Sequence, residues 1–143
     1  MWVKTFSKEY RNIHKEAIWR AWVDVNNWPK SKWDAELEYC EIKASFSEGN
    51  QFILKPKGGP KVRLWLSEIV PNVKFTDYCK FWGATMYDAH ELKETSEGIV
   101  ITNTITVKGS LAFLWANLVA KNVVKAVPNQ TDHLVAYPRK MHG

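Results

Sequence analysis

Little in this chain points to disulfide, metal or phosphate chemistry. Cysteine occurs only at Cys40 and Cys79, without CxxC spacing or a cluster of histidine partners, which argues against a disulfide framework and a thiolate zinc site. Both are expected as buried thiols. Histidine is as sparse: His14, His133 and His142 are scattered, so no metal ligand set is expected, and no cofactor. Neither a GxGxxG nor a Walker-type phosphate loop is present, and Gly58-Gly59-Pro60 reads as a hairpin turn. No apolar run approaches the ~20 residues of a membrane span. The opening Met1-Trp2-Val3-Lys4 lacks the regions of a secretory signal, so the expectation is a cytoplasmic protein with no integral membrane segment. No nucleic-acid-binding module is recognisable and no aromatic platform is evident on an exposed sheet face, so no nucleic-acid partner is expected. No repeat or Pro/Gly/Ser-rich linker divides the chain, which implies a single domain over residues 1–143.

What is present is aromatic and apolar surface. The 143 residues are 45% hydrophobic and 24% charged, with eight Trp; a chain of this length buries roughly 68–70% of its unfolded surface, enough for one good core. The net charge is +5, and most of it is local. Residues 108–143 carry Lys108, Lys121, Lys125, Arg139 and Lys140 against Asp132 alone. Such a basic face is either simply solvated or meets phosphate or anionic lipid.

Hydrophobic periodicity orders the chain. Trp2 to Tyr10 alternates as a strand, Asn12 offers a cap, and Ile13, Ala17, Ile18, Ala21, Trp22 and Val25 fall at helical spacing up to Asn26-Asn27. Trp28-Pro29 to Trp33-Asp34 reads as a tight turn or second short helix. Six strand-length segments follow, at 37–46, 51–55, 62–69, 73–82, 85–94 and 99–108, divided by turn signals such as Ser47-Glu48-Gly49-Asn50 and Pro71-Asn72. After Gly109, Ser110 offers an N-cap for a long helix to about Tyr137. Its apolar stripe is Leu111, Leu114, Trp115, Leu118, Val119, Val123, Val127 and Leu134, with a kink expected at Pro128.

This order resembles the START-like superfamily that includes polyketide cyclases and dehydrases. The resemblance rests on Trp22-Val23-Asp24, Trp28-Pro29 with Trp33-Asp34, Phe46 with Glu48-Gly49, Glu68-Ile69-Val70-Pro71, His90-Glu91-Leu92, and Gly109 before a helix containing Pro128. It implies an α+β helix-grip fold: a seven-stranded curved antiparallel sheet around a long C-terminal helix, with two short helices after strand one. It also implies a cavity between sheet and helix for an apolar or amphipathic ligand. The superfamily shares no catalytic signature, so no catalytic residue is carried over.

Strand parity then proposes which residues face that interior. Phe75, Asp77, Cys79 and Phe81 share one face; Met86, Asp88, His90 and Leu92 share a second; Ile99, Ile101, Asn103, Ile105 and Val107 share a third. Asp77, Asp88, His90 and Asn103 are then polar groups in an apolar interior. A carboxylate beside His90 can act as a general base on a ketone or water, with Asn103 holding a carbonyl oxygen; equally, the four groups can satisfy only one another. From the helix, Trp115, Leu118 and Asn122 are expected to reach a ligand. Three functions fit: a binding module for a lipid, polyketide-like or other aromatic molecule; a cyclase, dehydrase or isomerase using His90 with Asp88 or Asp77; and a protein-interaction domain such as a chaperone cofactor.

Overall fold

Antiparallel pairing through tight turns accounts for most of the chain. A computed structural model describes residues 1–29 and 37–142, with side chains through 138. Strand β1 (Trp2–Arg11) precedes helix α1 (Lys15–Val23) and a 3-10 turn (Val25–Asn27). Strands β2 (Leu37–Ile42), β3 (Gln51–Pro56), β4 (Val62–Val70), β5 (Lys74–Phe81), β6 (Ala84–Glu94) and β7 (Gly98–Lys108) follow. They form one seven-stranded sheet in the order β1-β7-β6-β5-β4-β3-β2, every neighbour antiparallel. Consecutive hairpins explain β2 to β7, and β1 then covers the free edge of β7. The strand segments read from periodicity match to within a few residues. The turn signals are equally legible: Gly83 takes φ +73 between β5 and β6, a conformation that favours glycine.

The short helices differ from expectation. Asn12 does not cap α1; it turns the chain at φ 55, and its N–H donates to Glu97 O. The helix begins two residues later, behind His14, with no side-chain cap. Its inner face, Ile18, Ala21 and Trp22, is buried. The Trp28–Asp34 turn falls largely outside the described residues. Trp28 itself is buried and donates its indole N–H to the carbonyls of Ala21 and Trp22.

The terminal helix is continuous but not uniform: α2 (Ala112–Trp115), a π turn (Ala116–Ala120) and α3 (Lys121–His142). Leu111, not Ser110, precedes it, and no side chain caps it. The expected apolar stripe is corrected here. Ala112, Ala116 and Ala120 are the buried row, packed with Ala84, Ile105 and Val107, whereas Leu114 and Leu118 are exposed. Small side chains let the helix backbone approach the sheet, and the wide π turn shifts the register of faces. Further along, Val127, Thr131, Leu134 and Val135 are buried, and Pro128 lies inside α3 on its exposed side.

Two apolar clusters result. One gathers α1, Phe52, Phe75, Ile99, Ile101, Leu134 and Val135; the other is the alanine row over Ile105 and Val107. Met86 packs against both. On the opposite sheet face Trp65, Tyr78 and Tyr87 form an aromatic row, Trp65 and Tyr78 stacked at 5.5 Å, and Tyr78 and Tyr87 tilted at 5.5 Å. This corrects the expectation of no aromatic array on that face. The rings pair with one another across the strands, which stabilises the sheet. Among the described residues no helix is long and apolar enough to cross a membrane.

Candidate functional site

Strand register brings four polar side chains to one place on the inner face. Asp77 of β5 lies opposite Asp88 of β6, and His90 lies opposite Asn103 of β7. Because side chains alternate, the parity that turns Phe75, Leu92, Ile101 and Ile105 inward also turns these four inward. The strip they form interrupts the apolar surface between the two clusters.

The geometry is closely coupled. His90 Nε2 lies 3.4 Å from Asp77 Oδ2 and 3.4 Å from Asp88 Oδ1. The Asn103 amide lies 2.9 Å from His90 Nδ1 and donates to Asp88 Oδ1 at 3.3 Å. In the neutral ring, an Nδ1 that accepts from Asn103 leaves the proton on Nε2, facing both carboxylates; in the charged ring both nitrogens donate. The ring stacks on Phe75, with centroids 4.1 Å apart and planes 12° apart, and meets Trp22 edge-on at 5.6 Å. Asp77 and His90 side chains are 7% and 13% exposed; Asp88 is the most open, at 20%.

Burial and charge shift these groups. Loss of water raises the Asp88 carboxyl to about 6, opposed by the His90 charge and by Asn103 and reinforced by the charge of Asp77. Burial alone would lower His90, but the Asp88 and Asp77 carboxylates outweigh it, so the imidazole holds its proton above the ordinary value. Cys79 is pushed up to about 12 by burial and then by the two aspartates, which leaves it an inert thiol near neutral pH. The strip therefore holds a mobile proton near neutrality in a largely dry setting, the condition for general acid-base work or for gripping a polar group of a ligand.

Asp77, Asp88 and His90 have ligand atoms within 4.8 Å of one another. Two carboxylates and an imidazole make a donor set that suits a divalent cation. The scattered histidines His14, His133 and His142 gave no hint of it, since the carboxylates come from neighbouring strands.

The remaining expected ligand residues divide. Phe75, Cys79 and Ile105 are buried on the inner face, with Met86 and Phe81 partly buried. Trp115 reaches inward and stacks on Phe81 at 4.5 Å. Leu118, 56% exposed, and Asn122, also exposed, point away from the sheet. They lie on the helix face opposite the alanine row and do not line the interior. Trp22, read from sequence only as helix core, is the residue that sequence reasoning missed beside His90; its place on the buried face of α1 was the available signal.

No family model and no curated protein matches this sequence. Solved structures do match along nearly its whole length. Protein NE0264 from Nitrosomonas europaea superposes with a TM-score of 0.75 at 13% identity, covering 98% of this chain and 96% of that one. A START superfamily protein from Mycobacterium smegmatis gives 0.68 at 14% identity, with 98% and 97% covered. The di-domain ARO/CYC protein StfQ from the steffimycin biosynthetic pathway gives 0.75 at 12% identity, over 99% of this chain and 52% of that one. At these identities the likeness is one of fold.

Proposed function

On the premise of a START-like helix-grip fold, we propose that this chain binds a hydrophobic or aromatic small molecule, lipid or polyketide-like, between the sheet and the terminal helix. The observation that carries the reading is the buried strip of Asp77, Asp88, His90 and Asn103 between two apolar clusters. Apolar enclosure supplies affinity, and a few convergent polar groups fix orientation. The partly exposed, stacked rings of Phe81 and Trp115 favour a ring-bearing ligand, and a hydroxyl or carbonyl of that ligand would displace Asn103 or the His90 proton from its present partner. The steffimycin-pathway protein supports a polyketide-like class by analogy of fold.

A second reading follows from the raised Asp88 and His90: acid-base chemistry on the bound molecule, such as enolisation of a ketone. One experiment addresses both. The purified protein is screened against aromatic ketones and fatty acids by native mass spectrometry and by melting temperature, beside His90→Gln. Binding predicts a 1:1 complex and a higher melting temperature for at least one ligand class, weakened in the variant. Deuterium exchange into the bound ketone that vanishes in His90→Gln adds the enzymatic reading. A protein that binds no member of either class overturns the proposal.

A further inference from the structure

Six of the exposed large apolar side chains, Met1, Val3, Trp82, Phe113, Leu114 and Leu118, belong to segments that converge at one end of the sheet. Trp2 pairs with Val107 there, Phe81 pairs with Ala84 across the Trp82-Gly83 turn, and the terminal helix starts directly over that turn. Trp82 is 83% exposed, yet its backbone is pinned. Its carbonyl accepts the Trp115 indole N–H at 2.7 Å, Gly83 O accepts Leu111 N–H at 3.0 Å, and a Cβ on Gly83 would lie 2.8 Å from Leu111. An indole held outward by a rigid turn is costly in water unless something covers it.

The charge around this tip has one sign. Lys80, Thr85 and Lys108 share one register row, one step behind the turn. Both ammonium groups are kept at the surface over aromatic rings, Lys80 at 5.1 Å from Trp65 and Lys108 at 5.2 Å from Tyr87. Lys121 lies one helical turn beyond Leu118. The three segments that meet here, residues 1–5, 80–85 and 104–121, contain no Asp or Glu. An apolar tip with an exposed Trp, collared by lysines and free of carboxylates, is complementary to an anionic bilayer surface rather than to another copy of the same basic tip.

We infer that this end of the molecule docks on anionic phospholipid membranes, with Trp82, Phe113, Leu114 and Leu118 entering the interface and Lys80, Lys108 and Lys121 meeting phosphate headgroups. This is peripheral binding, and it stands independently of what the interior holds.

Co-sedimentation tests it, using phosphatidylcholine vesicles with and without about one quarter phosphatidylglycerol. The protein is expected to pellet with the anionic vesicles and to be released by raised salt. Trp82→Ser combined with Leu114→Ser and Leu118→Ser should weaken partitioning at least about tenfold, and Lys80→Glu with Lys108→Glu should do the same through charge alone. The substituted side chains are exposed, so melting temperatures should hold; the charge pair gives a second route if the triple variant does not fold. Absence of the protein from the anionic pellet, or partitioning indifferent to both variants, overturns the inference. So does a wild-type dimer in light scattering that the triple variant dissociates, since a second copy would then cover the tip.

Discussion

His90 joins opposing influences on one imidazole: a ring stacked on Phe75 and met edge-on by Trp22, a contact to the Asn103 amide, and two carboxylates at 3.4 Å. Burial favours the neutral ring, and the carboxylates favour the charged one. The second effect wins, Asp88 acting through its charge and Asp77 through a hydrogen bond and its charge. Asp88→Asn should therefore lower the His90 titration midpoint below its wild-type value, read from imidazole resonances in NMR spectra recorded across pH. A midpoint that stays put would mean that Asp77 alone holds the proton. The residues of this strip were legible in the sequence, because strand alternation names the inward parity. Their distances were not, since Asp77 and Asn103 reach His90 from different strands.

At the scale of elements, strands and turns followed from the chain, while the facing of the terminal helix did not. From Leu111 to Ala120 two rows run at helical spacing: Leu111, Leu114, Leu118 at three and four, and Ala112, Ala116, Ala120 at four. Hydrophobicity selects the leucines. The sheet selects the alanines, since Ile105 and Val107 already fill the space beneath and only a small side chain lets the helix seat. Ala120→Leu, placing a large side chain at a fully buried position, should destabilise by about 1–3 kcal/mol. Leu118→Ser should stay within about 0.5 kcal/mol. Chemical denaturation of the two variants checks the assignment, and the reverse order of effects would restore the leucine stripe to the core.

At the scale of the whole molecule, the polar strip couples stability to pH. The folded values of His90 and Asp88 both lie above the unfolded ones, so proton binding favours the folded state. For Asp88 that contribution is complete below 3.8 and is lost as pH rises through about 6. For His90 it is complete below 6.5 and is lost as pH rises through its folded value. The melting temperature is therefore expected to fall as pH rises from 3.8 through about 6 and on past 6.5, and the fall should be much shallower in the double variant Asp88→Asn with His90→Gln. Equal slopes in calorimetry would place the dependence elsewhere.

The chain by itself determined the number and order of strands, the long terminal helix and the inward parity of each strand, because these depend on local periodicity and on turn residues that act over a few positions. Tertiary structure alone decided that Asp77, Asp88, His90 and Asn103 converge, that alanines rather than leucines seat the helix, and that Trp82 joins Leu114 and Leu118 at one exposed tip. Each of these depends on which strands become neighbours and on how closely a helix approaches them, quantities fixed by packing between segments far apart in sequence.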